Sequence, residues 1–112
     1  AGLIDKGEIP AQTALRELKE ETGFHGKVEA ITPPLYLSPG LLSEVCYLAH
    51  VSIDENQAEN LSPLPENESS EYIEVILKNP SQIMEYLESE EASGIGMDAK
   101  LYSYFIQEGF KS

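Results

Sequence analysis

Between Glu8 and Phe24 the chain spells a loop, a helix and a stop, and the two faces of that helix constrain the rest of the molecule. Pro10 suits a first helical turn, where a missing N–H costs nothing, and Gly23 suits the C-terminal cap. Ala11, Ala14, Leu15, Leu18 and Thr22 follow the i, i+3, i+4, i+7, i+11 spacing of one inward stripe. The polar side is less ordinary. With Glu17 set at zero and about 100° per residue, Glu21 lies at about +40° and Glu20 at about −60°. Three carboxylates then share an arc of roughly 100°, and each like-charge pair destabilises the helix by about a few tenths of a kcal/mol. Lys19 points to the opposite side. A divalent cation such as Mg²⁺ converts that repulsion into ligation, because it takes carboxylate oxygens together with substrate phosphate oxygens. Arg16, the only arginine in the chain, precedes Glu20 by four residues. At that spacing a guanidinium can orient one carboxylate and leave its neighbours free for metal. Leu18 lies only about 60° from Glu21, so the acidic arc borders the inward stripe.

The rest of the chain bounds the class. With 112 residues there is room for one small domain, and the mixture of apolar (41%) and charged (24%) residues is that of a globular chain. A formal charge of −13 disfavours a long polyanion such as duplex nucleic acid as partner. No apolar run approaches a membrane span, so no membrane partner is expected. Cys46 is the only cysteine, which excludes an internal disulfide and fits a reducing compartment: the cytoplasm, with nucleus or mitochondrion as alternatives. A strand is expected in Val28–Leu37, broken at Pro33-Pro34, with a turn at Ser38-Pro39-Gly40. Further strands are expected at Val45–Ile53 and Tyr72–Leu77, separated by a long acidic loop from Asp54 to Ser70. Asn79-Pro80 opens a helix with Ile83, Met84 and Leu87 inward. Asp98 caps a last helix whose Tyr102, Phe105 and Ile106 share a face and which Gly109 ends. Strands and helices are mixed, so the class is α/β or α+β.

Gly2, Glu8, Arg16, Glu17, Leu18, Glu20, Glu21, Gly23 and Phe24 match, at every specified position, the G-x5-E-x7-R-E-U-x-E-E-x-G-U box of the Nudix hydrolases. The chain thus resembles that family, which implies an α/β/α sandwich around a mixed sheet. The resemblance implies that Glu17 and Glu21 ligate metal and that Glu20 joins them or bridges through water. It implies further that the backbone carbonyl of Ala1 ligates metal, that Gly2 lets the loop approach closely, and that Glu8 supports either the loop or Arg16. The cofactor it implies is Mg²⁺, with Mn²⁺ as an alternative.

Within the family, AGLIDKGE and ALRELKEETG are similar to the ADP-ribose/ADP-sugar pyrophosphatases. Pro39, 16 residues beyond Gly23, stands where that subgroup places a proline. Ser38-Pro39-Gly40-Leu41 resembles its Asp-Pro-Gly turn with Ser38 in place of the acid, and on this likeness Pro39, Gly40 and Leu41 contact substrate. Ala58-Glu59-Asn60, Ser70–Val75 and Asp98–Tyr104 also resemble stretches of those enzymes. The implied reaction is hydrolysis of the diphosphate of ADP-ribose or a related ADP-sugar to AMP and a sugar phosphate. Glu71 would take the proton of the attacking water, with Glu68 and Glu74 as rivals and Glu20 assisting. The alternatives are a Nudix hydrolase of another small nucleotide, such as an oxidised nucleoside diphosphate, and a nucleotide-binding module that has lost catalysis. The resemblance also implies a homodimer. It implies that residues 1–112 form a single domain lacking its N-terminal portion, so that the strands from Val45 and Tyr72 want neighbours and the chain is inactive alone.

Other residues weigh less. His25 and His50 lack metal-ligand spacing and read as structural or surface groups. Cys46 reads as a small hydrophobe in a strand. Tyr102, Tyr104 and Phe105 read as core or interface.

Overall fold

The structure, a computed structural model, describes residues 2–66, 75–76 and 78–110, the last four by backbone alone. It divides into two compact units, Ala1–Glu74 and Val75–Ser112, each taken by itself below.

The first unit begins with a loop and then α1 (Pro10–Thr22). Pro10 is the first helical residue, and the Gln12 side chain accepts the Ile9 N–H at 3.0 Å. Gly23 ends the helix in the left-handed conformation (φ 79°), donating its N–H to the Lys19 carbonyl at 2.8 Å. Strands β1 (Lys27–Ile31), β2 (Leu35–Tyr36), β3 (Val45–Cys46) and β4 (Ala49–Ser52) follow. They form one long antiparallel hairpin cut into two short sheets. β1 pairs with β4 from Lys27↔Ser52 to Ile31↔Ala49, with a bulge between Val28 and Ala30. β2 pairs with β3 through Leu35↔Cys46 and Tyr36↔Val45.

The expected strand Val45–Ile53 is therefore two strands, for a reason that lies in its partner. Pro33 and Pro34 carry no N–H for the ladder. Thr32 bridges the gap: its N–H donates to the Leu48 carbonyl and its hydroxyl accepts the Leu48 N–H, both at 3.0 Å. The Val45 segment has a paired neighbour on one side, β2 for β3 and β1 for β4. Among the described residues all pairing is antiparallel, so the mixed sheet is not seen. Most of the expected strand Tyr72–Leu77 lies outside the described residues, and Val75 and Ile76 belong to no regular element.

Helix α1 lies against β1 and β4, and a Cβ on Gly26 would run into Val51 and Leu18, the point where helix stripe and sheet meet. The stripe is half-buried throughout, and no apolar side chain is fully buried among the described residues. The buried side chains are polar: Thr13 (6% exposed) and Asn60 (4%). After β4 the Asp54–Glu66 stretch is loop, apart from one 3₁₀ turn at Ala58–Asn60.

In the second unit a 3₁₀ turn (Pro80–Gln82) runs into α2 (Ile83–Ala92), and α3 (Ala99–Phe110) follows a loop at residues 93–98. Asn79 caps the first turn by accepting the Ser81 N–H at 3.0 Å. Ile83, Met84 and Leu87 are half-buried, as are Tyr102, Phe105 and Ile106 where α3 meets α2. Asp98 caps α3 by accepting the N–H groups of Lys100 and Leu101 at 2.8 and 3.1 Å. The Lys100 ammonium beside it holds the Asp98 carboxyl below its ordinary value. α3 runs one residue past Gly109, the expected stop. Helices with small antiparallel sheets make the class mixed α/β. Among the described residues no helix is long and apolar enough to cross a membrane.

Candidate metal centre

Arg16 stands at the centre of the site, and every N–H of its guanidinium has an acceptor. Nε donates to Glu8 Oε2 at 2.9 Å and Nη2 to Glu8 Oε1 at 3.0 Å, a two-pronged pair. Nη2 also meets the Leu3 carbonyl at 3.0 Å. Nη1 donates to Glu17 Oε1 at 2.9 Å and reaches Glu20 Oε2 at 3.3 Å. Asp5 lies 3.5 Å away. Glu8 therefore supports loop and arginine at once, since the same carboxylate also accepts the Asp5 N–H at 2.9 Å. Arg16 does not leave Glu17 aside in favour of Glu20: it holds both, and Glu17 at the shorter distance.

Thr13 completes the arrangement, and the sequence pattern did not single it out. Its hydroxyl donates to Glu8 Oε1 at 3.0 Å from a buried position. The signal was available, because Thr13 precedes Glu17 by four residues and so falls inside the acidic arc. These contacts shift the Glu8 carboxyl and the Arg16 guanidinium. Hydrogen bonds from Arg16 above all, then from the Asp5 backbone, with a lesser one from Thr13, hold the Glu8 carboxyl down to about 2 against an opposing desolvation. The same pair, with Glu17 and Asp5, pushes the Arg16 pKa upward.

Gly2 lies against Glu17. A Cβ there would overlap the Glu17 carboxylate, so the glycine is what lets the loop backbone lie on that side chain. Glu17 is thus hemmed in between Gly2 and Arg16, with its side chain 18% exposed. One guanidinium faces the carboxylates of Asp5, Glu8, Glu17 and Glu20, which leaves the region strongly negative. Glu21 is half-exposed on the same helix.

Similarity to known proteins decides the family. The NUDIX domain model matches residues 1–93, and so spans the whole Gly2–Phe24 arrangement. The chain belongs to the Nudix family. It is 41% identical over 105 residues to a provisionally named nudix hydrolase 2 of Caenorhabditis elegans, covering 93% of this chain and 47% of that protein. It is 36% identical over 105 residues to an ADP-sugar pyrophosphatase of Mus musculus, covering 93% and 48%. To an ADP-ribose pyrophosphatase of Saccharomyces cerevisiae it is 35% identical over 101 residues, covering 90% and 44%. The chain therefore spans about half the length of the curated relatives it matches.

Nudix hydrolases generally use divalent metal ions, and the donor set of this Nudix chain fits one. Among the described residues no three His, Cys, Asp or Glu side chains converge into a ready-made cage. Mg²⁺ does not ask for one, because it is held by about one or two carboxylates and fills its octahedron with water and substrate phosphate. The donors at hand are hard oxygens, suited to Mg²⁺ or Mn²⁺ rather than to softer metals. Ala1, Glu68, Glu71 and Glu74, named above as ligand and general-base candidates, lie outside the described residues. Pro39, Gly40 and Leu41 form the tip of the β2–β3 hairpin, where the N–H groups of Leu41 and Leu42 close on the Ser38 carbonyl at 3.0 and 2.9 Å. These bonds are the turn's own, and none of the Arg16 partners named above lies in it.

Proposed function

We propose that this chain carries the catalytic machinery of a Mg²⁺-dependent Nudix hydrolase that cleaves the diphosphate of ADP-ribose or a related ADP-sugar, giving AMP and a sugar phosphate. The observation that carries this reading is the Arg16 hub, which holds Glu8, Glu17 and Glu20 together beside Gly2. Its setting among relatives named ADP-sugar and ADP-ribose pyrophosphatases points to the substrate. Residues 1–112 act as one domain in this reading, in a homodimer.

Glu17 and Glu21 would hold the metal, with Glu20 and the Ala1 carbonyl beside them. A bound divalent ion supplies charge neutralisation at the diphosphate and makes a water acidic enough to attack near neutral pH. Arg16, itself held by Glu8, keeps the Glu17 carboxylate in place, so that its geometry is set before substrate arrives. Gly2, Pro39, Gly40 and Leu41 contact the substrate. Glu71 takes the proton from the attacking water, with Glu68 and Glu74 as competing candidates.

The test is product analysis after incubating the full-length protein with ADP-ribose and millimolar Mg²⁺. AMP and ribose 5-phosphate are expected in equal amounts. Glu17→Gln and Glu21→Gln should each lower turnover by at least about 10²-fold, and Glu71→Gln by roughly 10²–10⁴-fold, more than Glu68→Gln or Glu74→Gln. Turnover of an oxidised nucleoside diphosphate but not of ADP-ribose would move the substrate elsewhere in the family. Normal turnover in both Glu17→Gln and Glu21→Gln at saturating Mg²⁺ would remove the metal assignment.

A further inference from the structure

The last turn of α1 bears Glu20 and Glu21, and its carbonyls need partners because a helix ends with unsatisfied acceptors. The Lys19 carbonyl takes the Gly23 N–H. The Glu20 carbonyl takes a donor from far along the chain, the Glu66 N–H, at 2.7 Å. Glu66 follows a loop that presses on the helix end: a Cβ on Gly23 would collide with the backbone of Leu64 and Pro63. What seats this loop is Asn60. Its side chain is 4% exposed and makes three hydrogen bonds, both amide N–H groups and the carbonyl oxygen taking part. Oδ1 accepts the His25 N–H at 2.7 Å, while Nδ2 donates to the His25 carbonyl at 3.0 Å and to the Asp54 carbonyl at 2.8 Å. One amide thus ties the Asp54–Asn60 turn to the residue two beyond Gly23.

We propose that Asn60 is a positioning residue for the metal-bearing helix: by clamping the 54–60 turn to His25 it seats the 60–66 segment on the C-terminal end of α1 and fixes the turn that carries Glu20 and Glu21. This rests on the reading of those glutamates as metal-binding. The geometry asks for an amide in particular. Aspartate keeps the acceptor for the His25 N–H but turns oxygen lone pairs toward two carbonyls that need donors. Alanine removes all three bonds and leaves three part-buried backbone groups without their partner.

The experiment compares Asn60→Ala, Asn60→Asp, Glu66→Pro and Glu66→Ala in the purified protein, well below its unfolding temperature. Glu66→Pro removes the N–H that reaches Glu20 and fixes φ, while Glu66→Ala removes the same side chain and keeps the N–H, so this exposed pair reports on the anchor even if the Asn60 variants fail to fold. The readouts are Mn²⁺ affinity by electron paramagnetic resonance and amide hydrogen exchange at Gly23 and Val51. Removing a partner that orients a metal ligand typically weakens metal binding about 10–100-fold. Both Asn60 variants and Glu66→Pro should weaken Mn²⁺ about tenfold or more and speed exchange at Gly23 while leaving Val51, in β4, unchanged. Glu66→Ala should match the wild type. Mn²⁺ affinity within twofold of wild type in Glu66→Pro and in any folded Asn60 variant would overturn the proposal and leave the clamp a purely structural bond. Weaker Mn²⁺ binding with unaltered exchange at Gly23 would also overturn it, because the effect would not run through the helix end. If wild-type protein binds no Mn²⁺, or Glu20→Gln and Glu21→Gln bind it normally, the metal reading itself fails, an outcome separate from the two above.

Discussion

At its N-terminal end α1 is tied to the preceding loop by charge: Arg16 gathers Glu8, Glu17, Glu20 and Asp5, with the Leu3 carbonyl as its one neutral acceptor. At its C-terminal end it is tied by neutral groups: a glycine with no room beside it, an asparagine amide, and one backbone N–H from Glu66. The first arrangement depends on pH through Glu8, whose carboxyl is held low by Arg16. The second does not titrate and depends instead on shape. A helix whose middle and last turn carry the carboxylates proposed to hold metal is thereby held on one side by electrostatics and at its C-terminal end by fit.

The largest effect should come from disturbing the fit. Gly23→Ala faces a left-handed φ of 79° and the backbone of Leu64 at once. The conformation costs about 1–3 kcal/mol for a non-glycine residue, and forcing a methyl against backbone costs about as much again. A loss near 3 kcal/mol is expected in urea unfolding, read as a lower midpoint at unchanged slope. Gly7→Ala is the control, since Gly7 has φ 87° with open space around it and should cost only about 1 kcal/mol. Equal losses at the two glycines would mean that close approach contributes nothing at the helix end.

Next comes the charged end. Arg16→Lys keeps the charge and discards the fork, and an ammonium cannot serve Glu8 through two parallel bonds while also reaching Glu17. Under the proposed function, ADP-ribose turnover by the full-length protein should fall by about 10–100-fold, with stability changed far less than in Gly23→Ala. Turnover within twofold of wild type would show that charge alone suffices there.

How much of this the sequence disclosed follows the range of the contacts. Helix α1, its proline start, its glycine stop and the acidic arc were all legible, because they are fixed by spacings within a few turns. Glu8 could be placed but not given one duty, since it takes up the loop and the arginine together. Thr13 was overlooked although its spacing was informative, for a threonine on a polar face attracts no notice until its hydroxyl is found buried on Glu8. The break in the Val45–Ile53 strand was illegible within that segment, because the prolines that cause it lie in the partner strand. Asn60 shows the limit most plainly: it sits 35 residues from the backbone it clamps, with no periodicity to mark it.

A subtler effect separates the two ends by pH. Glu8 titrates at about 2 when folded against an ordinary 4.5, so its ionised form is the one the fold prefers. A depressed carboxyl contributes stability that is fully present above its unfolded value and is lost as pH falls through the folded one. The penalty of Glu8→Gln should therefore be constant above pH 4.5 and shrink between 4.5 and about 2. That of Asn60→Ala should not change over the same range, since the amide and its backbone partners do not ionise. Urea unfolding of both variants at pH 6 and pH 2.5 measures the difference. Parallel behaviour of the two would erase the distinction between a charged and a neutral end.

The smallest effect is expected where charge appears at the neutral end. The Lys19 ammonium lies 3.9 Å from a Glu66 carboxylate oxygen, with the side chains 50% and 61% exposed. At that distance and exposure water screens most of the attraction, and ordering two long side chains costs entropy, so the pair should contribute less than about 0.5 kcal/mol. The Glu66 N–H, donating to the Glu20 carbonyl at 2.7 Å, is the bond that counts, and it survives any change at Lys19. Lys19→Gln should accordingly shift stability by under about 0.5 kcal/mol at 0.15 M salt, and the shift should vanish at 1 M, where the screening length falls to about 3 Å. A loss above about 1.5 kcal/mol that disappears in high salt would instead make the ion pair the fastening of this end, and the loop would then be held on α1 by charge at both ends of the helix.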